Sequence, residues 1–168
     1  IIELLLHSVN YKVILGGLYV SDLGGTYIDH MFGAYFGLAV AYMLGKPKSE
    51  PSGGQTPDLF SLIGTLFLWV YWPSFVAGAA EPGSPQQQTA IVHTILALAS
   101  STVTAFIFSS LLNEKRQFRA VDIQNATLAG GVAFGTVANM AIQPVGAVAV
   151  GCVASIVSTY GFNVIQPK

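Results

Sequence analysis

Charge is the scarcest property of this chain. Lys, Arg, Asp and Glu make up 9% of its 168 residues, against about a quarter in an ordinary soluble domain. That shortfall excludes an aqueous surface over most of the fold. The formal net charge is −1, which removes the electrostatic basis for nucleic-acid binding or a polybasic lipid anchor. Cysteine is nearly missing as well. Cys152, inside an apolar run, is the only one, so an intrachain disulfide and a thiolate zinc site are both excluded, and a structural role is the default. The sequence has no HExxH, GxSxG, phosphate-binding loop or spaced set of metal ligands. Nothing argues for catalysis, and we expect a protein that is not an enzyme and takes no metal or cofactor. The opening stretch IIELLLHSVN lacks an initiator Met, a basic n-region and a small-residue cleavage signal. It reads as the interior of a longer protein and not as a signal peptide. The other end, NVIQPK, stops just past an apolar run, and we expect a fragment.

What is abundant points one way. Hydrophobic residues are 52% of the chain, mean hydropathy is +0.60 and there are 18 glycines, the composition of an integral membrane protein. Runs of about 1–19, 25–45, 58–79, 88–112, 121–142 and 145–164 approach the roughly 20 apolar residues that a spanning helix needs. The first is interrupted by Glu3, His7 and Lys12, and reads as one end of a longer helix. The fifth, VDIQNATLAGGVAFGTVANMAI, is weakly apolar and rich in small residues, which suits a helix packed among helices. Strands are excluded, because runs this long without period-two alternation pair their backbone internally as helices in lipid. We therefore expect an all-α, multi-pass transmembrane bundle of about six helices, with residues 1–168 forming a single membrane domain.

The connectors KPKSEPSGGQTPD (46–58), EPGSPQQ (81–87) and NEKRQFRA (113–120) are polar, and Pro144 separates the last two helices. Alternating threading puts loops 46–58 and 113–120 and the C-terminal end on one side. That side holds Lys46, Lys48, Lys115, Arg116, Arg119 and Lys168, six of the seven basic residues. The segments 20–24, 80–87 and 143–144 hold none. The positive-inside rule makes the basic side cytoplasmic in a multi-pass cell-membrane protein. Gly33 and Gly37, like Gly131 and Gly135, stand at the GxxxG spacing that lets helix backbones approach. Tyr71, Trp72 and Pro73 near the outer end of the third helix suggest an interfacial aromatic belt.

Against this background, Asp22, Asp29 and His30 cluster within nine positions at the outer end of the second helix. Asp22, in the SDLGGT turn, suits capping of the helix start, where negative charge is favoured. It suits a functional carboxylate equally. A neutral His30 imidazole donates one hydrogen bond and accepts another, which suits a polar solute in an apolar channel. A packed His bonded to a neighbouring carbonyl is the alternative. Intramembrane ionisable groups are costly and mark functional candidates. His7 reads as a helix-packing residue, and His93 as one bonded to solvent or to another helix. Phe75, in YWPSFVAG, is either a plug or lipid-facing bulk. Asn125-Ala126-Thr127 fits the glycosylation pattern but lies within a membrane run near its cytoplasmic end, so we reject it as a glycan site.

FGAYFGLAVA, IGTLFLWVYWPSF, VDIQNATLAGGVAFGT and STYGF, in order and at compatible spacing from about Asn10 to Phe162, resemble the Rh glycoproteins of the ammonium transporter/Rh family. The resemblance implies a homo- or hetero-trimer whose subunits each enclose a hydrophobic pore through an eleven- or twelve-helix inverted-repeat bundle. Residues 1–168 would then cover the last part of the first half and most of the second. It implies passage of ammonia, with ammonium losing its charge near a gate, through a histidine-lined pore in membrane lipid. His30 matches the first pore histidine, eight residues after Asp22, which matches the aspartate steadying the outer entrance. Phe75 matches one of the two gate phenylalanines. Ala79 stands where the ammonium-transporting branch has a hydroxyl, which favours the Rh-like branch with bidirectional, gradient-driven flow. The second pore histidine and the first gate phenylalanine fall outside this sequence. Asp29 stands beside the histidine where relatives have an apolar residue. It either points to a neighbouring helix or acts electrostatically on His30. Val76 and His93 each replace an expected Asn. The alternatives are a structural Rh-type subunit and a carbon dioxide channel without ammonia transport.

Overall fold

The computed structural model describes residues 1–45, 54–113 and 115–165. Most of the 46–58 loop, with Lys46 and Lys48, and the terminal Lys168 lie outside the described residues. Among the described residues the expected all-α architecture holds, with six helices in chain order. Helix α1 (Ile2–Tyr11) runs into a π-helical turn (Lys12–Gly17). A second π-helical turn (Thr26–Met31) leads into α2 (Phe32–Leu44). Then come α3 (Gln55–Ala77), α4 (Pro85–Leu112), α5 (Ala120–Gly135) and α6 (Pro144–Tyr160), the last ending in a third π-helical turn, Gly161–Ile165. Among the described residues, three helices are long and apolar enough to cross a membrane: Thr56–Ala77, Pro85–Leu112 and Pro144–Ile165.

Local chemistry explains the starts. Ser84 accepts the Gln87 amide at 3.1 Å while the Gln87 side chain accepts the Gly83 amide at 2.9 Å. That reciprocal arrangement satisfies two otherwise orphaned donors. Pro85 follows as the first helical residue, where its missing N–H costs nothing. Pro144 opens α6 in the same way.

Helices α4, α5 and α6 pack against one another as the core, and α3 lies across α4 and α5. Small residues and hydroxyls make this contact, since lipid supplies no hydrophobic drive between helices. Fully buried Ser101 sits at the junction. Its hydroxyl donates to the Ala126 carbonyl and accepts the Gly130 amide at 3.1 Å, while its own carbonyl accepts the Ser155 hydroxyl at 2.8 Å. A Cβ on Gly130 would meet the Ser101 Cβ at 2.7 Å and crowd the Ala97 carbonyl. Gly130→Val therefore forces α4 and α5 apart. Overpacking of this kind costs about 1–3 kcal/mol. We expect a clear fall in the unfolding temperature of the purified protein, whereas Gly33→Ala, with nothing within 4 Å of its added Cβ, leaves that temperature unchanged.

Two expectations are corrected here. The fifth helix was expected over 121–142, but α5 ends at Gly135 and residues 136–142 leave it. The backbone there is recruited by the segment before α2. Gly135 and Thr136 carbonyls accept the amides of Gly24 (3.0 Å) and Leu23 (3.4 Å). The Thr136 amide bonds Thr26 Oγ1 at 2.9 Å. The two GxxxG pairs also differ. Gly131 and Gly135 are in close contact with α3, α4 and the Gly24 backbone, while Gly33 and Gly37 meet nothing within 4 Å among the described residues.

Candidate functional site

The segment SDLGGT fixes the position of everything around His30. Besides its backbone bonds to α5, Thr26 Oγ1 donates to the Val132 carbonyl at 2.7 Å, and Thr136 Oγ1 donates to the Ser21 carbonyl at 2.8 Å. A Cβ on Gly24 would lie 2.8 Å from the Gly135 Cα, so glycine is required by backbone-to-backbone contact. Gly25 takes φ +69°, a left-handed conformation that glycine adopts without strain. Its carbonyl then accepts both the Asp29 amide at 2.9 Å and the His30 amide at 3.1 Å, and this widens the first turn to the π form. Such turns recur at functional sites.

Asp22 completes the turn. Its Oδ2 accepts the amides of Tyr27 at 2.8 Å and Ile28 at 2.9 Å, so the capping role read from the sequence is present. Its Oδ1 is buried without a hydrogen-bond partner among the described residues. Asp29 turns away from the histidine beside it. Its Oδ1 accepts from His7 Nε2 on α1 at 2.9 Å, which is the neighbouring-helix alternative. The His7 ring also stands edge-on to Phe32 at 5.5 Å. His93 is buried on α4, donating from Nδ1 to the Ala138 carbonyl at 2.9 Å. Val76 is fully buried in the core, and Ala79 is exposed.

His30 and Phe75 come together although 45 residues separate them. Their ring centroids are 6.0 Å apart. Trp72 joins them, lying nearly parallel to the imidazole at 5.4 Å and tilted across Phe75 at 5.9 Å. Trp72 is 9% exposed. It is therefore an inward wall of this cluster and not part of an interfacial belt, a correction to the sequence expectation. The same three side chains, with Leu68 and Tyr71, line a cleft of ≈ 290 Å³. His30 Nε2 and Trp72 Nε1 are buried and have no hydrogen-bond partner among the described residues. Unpaired buried polar atoms cost about 1–3 kcal/mol each. Neither atom is open to the cleft, whose exposed walls are apolar, and Trp72 Nε1 faces Gly131 on α5. Trp72 was legible in sequence only as an aromatic three residues before Phe75 on the same helix face.

Comparison with known proteins places the chain in a family. A family model described as Ammonium Transporter Family matches residues 4–168. "Ammonium transporter Rh type C" of Xenopus laevis is 46% identical over 170 residues, covering 98% of this chain and 36% of that protein. "Ammonium transporter Rh type A" of Bos taurus is 44% identical over 172 residues, covering 99% of this chain and 40% of that protein. A solved structure described as "Nitrosomonas europaea Rh50 and mechanism of conduction by Rhesus protein family of channels" superposes with a TM-score of 0.87 at 38% identity. The match covers 96% of this chain and 44% of that one. The chain thus spans about two fifths of the length of the relatives it matches.

Proposed function

The chain belongs to the ammonium transporter family, and from that premise we propose that it forms part of a transmembrane facilitator of ammonia and ammonium. The similar proteins are described as Rh-type ammonium transporters and a Rhesus-family channel. Family membership and three spanning helices locate the protein in a membrane. The reading assigns residues 1–168 to one membrane domain within a larger inverted-repeat subunit of a trimer in the cell membrane. The 113–120 loop, with Lys115, Arg116 and Arg119, then faces the cytoplasm under the positive-inside rule.

The observation that carries the reading is the His30–Trp72–Phe75 cluster around its cleft. Phe75 is half-exposed and narrows the approach. The cleft walls are apolar, and the unpartnered His30 Nε2 lies buried behind them. A cation at mid-bilayer costs at least about 2.5–3.5 kcal/mol, so ammonium leaves its proton with water on the outer side before the cleft and neutral ammonia passes. The imidazole both donates and accepts, which matches a molecule with three N–H donors and one lone pair. Asp22 holds the turn that aims this ring, and Asp29 ties it to α1.

The test is an imposed ammonium gradient across vesicles containing the complete protein. We expect internal alkalinisation faster than in protein-free vesicles, reversible with the gradient and carrying no net current. A structural subunit gives the protein-free rate. A carbon dioxide channel gives that rate for ammonia while accelerating acidification by carbon dioxide.

A further inference from the structure

We propose that His7 is a positioning residue for conduction: it holds the Asp29 carboxylate turned away from His30, so that no free negative charge stands beside the passage. This assignment rests on the conduction reading, and it gives α1 a task that the His30–Trp72–Phe75 cluster does not cover.

Asp29 is the chain neighbour of His30 and therefore shares its depth in the membrane, where a carboxylate is costly unless it is paired. Its two oxygens are accommodated separately. Oδ1 accepts from His7 Nε2 at 2.9 Å. Oδ2 occupies the space that a Cβ on Gly25 would take. The carboxylate thus folds back over the glycine and is met by the imidazole of α1. Among the described residues this is the one acid–base pair of side chains in contact. The His7 bond is what fixes the carboxylate, because Gly25 contributes room and no side chain.

Electrostatics makes the direction of that carboxylate matter. Asp29 and Asp22 are the acidic groups that act on the His30 ring. Asp22 is committed through Oδ2 to the Tyr27 and Ile28 amides, whereas Asp29 is committed through His7. The side chains that α3 brings to the same cleft, Leu68, Tyr71, Trp72 and Phe75, include no base to oppose a freed carboxylate. A carboxylate close to an imidazole favours the imidazolium, which has no acceptor left for ammonia. The carboxylate would also hold ammonium as an ion pair in place of letting neutral ammonia pass.

His7 is not the sole attachment of α1 to this turn. Asn10 Nδ2 donates to the Ile28 carbonyl at 3.2 Å, so a bond to the turn remains when position 7 changes. A mere tether and a residue that turns a charge away therefore predict opposite results for a second substitution. Removing Asp29 as well repairs nothing if His7 only joins two segments. It repairs the loss if His7 keeps the carboxylate off His30.

The test uses the complete protein in vesicles. His7→Ala should lower ammonia-driven alkalinisation by about fivefold. His7→Gln, whose amide still donates to Oδ1, should stay within about twofold of the parent. Asp29→Leu placed in the His7→Ala chain should bring the rate back to within about twofold of the parent. Parental flux in His7→Ala, or no recovery in the double variant, would overturn the proposal. Loss of assembly in His7→Ala that Asp29→Leu leaves unrepaired would overturn it too, since that is the behaviour of a tether. Imidazole nitrogen NMR of the same proteins gives a readout that needs no conduction. The His30 ring signals should move in His7→Ala and return in the double variant. A parent that fails to speed alkalinisation would sink the conduction reading alone, and unmoved His30 signals in His7→Ala would sink the role of His7.

Discussion

Replacing His30 with Ala should bring ammonia-driven alkalinisation of vesicles down by roughly fivefold or more, toward the protein-free rate, while the protein still assembles. Three observations set that size. The imidazole borders the apolar cleft and its Nε2 has no hydrogen-bond partner among the described residues, so its removal takes away the polar group that the proposed pore uses. Loss of a hydrogen-bonding partner in a site shielded from water costs about 1–3 kcal/mol, which corresponds to roughly five- to hundredfold in rate. The ring is also one face of a stack with Trp72 at 5.4 Å. Deleting it frees Trp72 to turn and close the passage. Assembly should survive because His30 is only half-buried and makes no hydrogen bond to α4, α5 or α6. The readouts are initial alkalinisation rate and elution volume of the same preparation.

The second large effect is expected at Asp22. One oxygen of this carboxylate carries both the Tyr27 and Ile28 amides. Asp22→Ala removes the cap from two donors at the helix head, one exposed and one part-buried, at about 0.5–2 kcal/mol in all. Those bonds brace the π-helical turn that the Gly25 carbonyl forms and that presents His30. We expect both a lowered unfolding temperature and flux near the protein-free rate. Asp22→Asn keeps an acceptor oxygen at the same position and should retain more than half the parental flux. If the asparagine variant is as inactive as the alanine one, the negative charge itself is required, and capping does not account for the residue. Measuring flux and melting on the same samples separates the two.

The contrast between these side chains and their surroundings also shows what sequence makes legible. The cost of ionisable groups in an apolar run singles out Asp22 and His30 without any structure, and the six helices follow from run length. What stays hidden is tertiary. That Trp72 turns inward onto His30 depends on the rotation of α3, which a uniformly apolar helix does not encode, since all its faces read alike. The π-helical turn is hidden too, because it arises from the Gly25 carbonyl accepting two amides and adds no residue pattern of its own. The early end of α5 is tertiary too: residues 136–142 are apolar enough to continue, but Gly135 and Thr136 give their backbone groups to residues 23–26, and the backbone after them closes local turns. Asp29 is instructive in a different way. Sequence offered two directions for it, and His7, assigned to packing, turns out to be the partner that decides between them.

The central claim is that the His30 imidazole borders a dry passage through the bilayer. The most direct measurement is an experimental structure of the complete protein in lipid, read for the surroundings of His30 Nε2. The account predicts that this atom faces a continuous narrow tunnel, with the Trp72 and Phe75 rings on its wall. Nε2 buried against a carbonyl of a neighbouring helix, or the ring turned outward among acyl chains with no tunnel beside it, would contradict it.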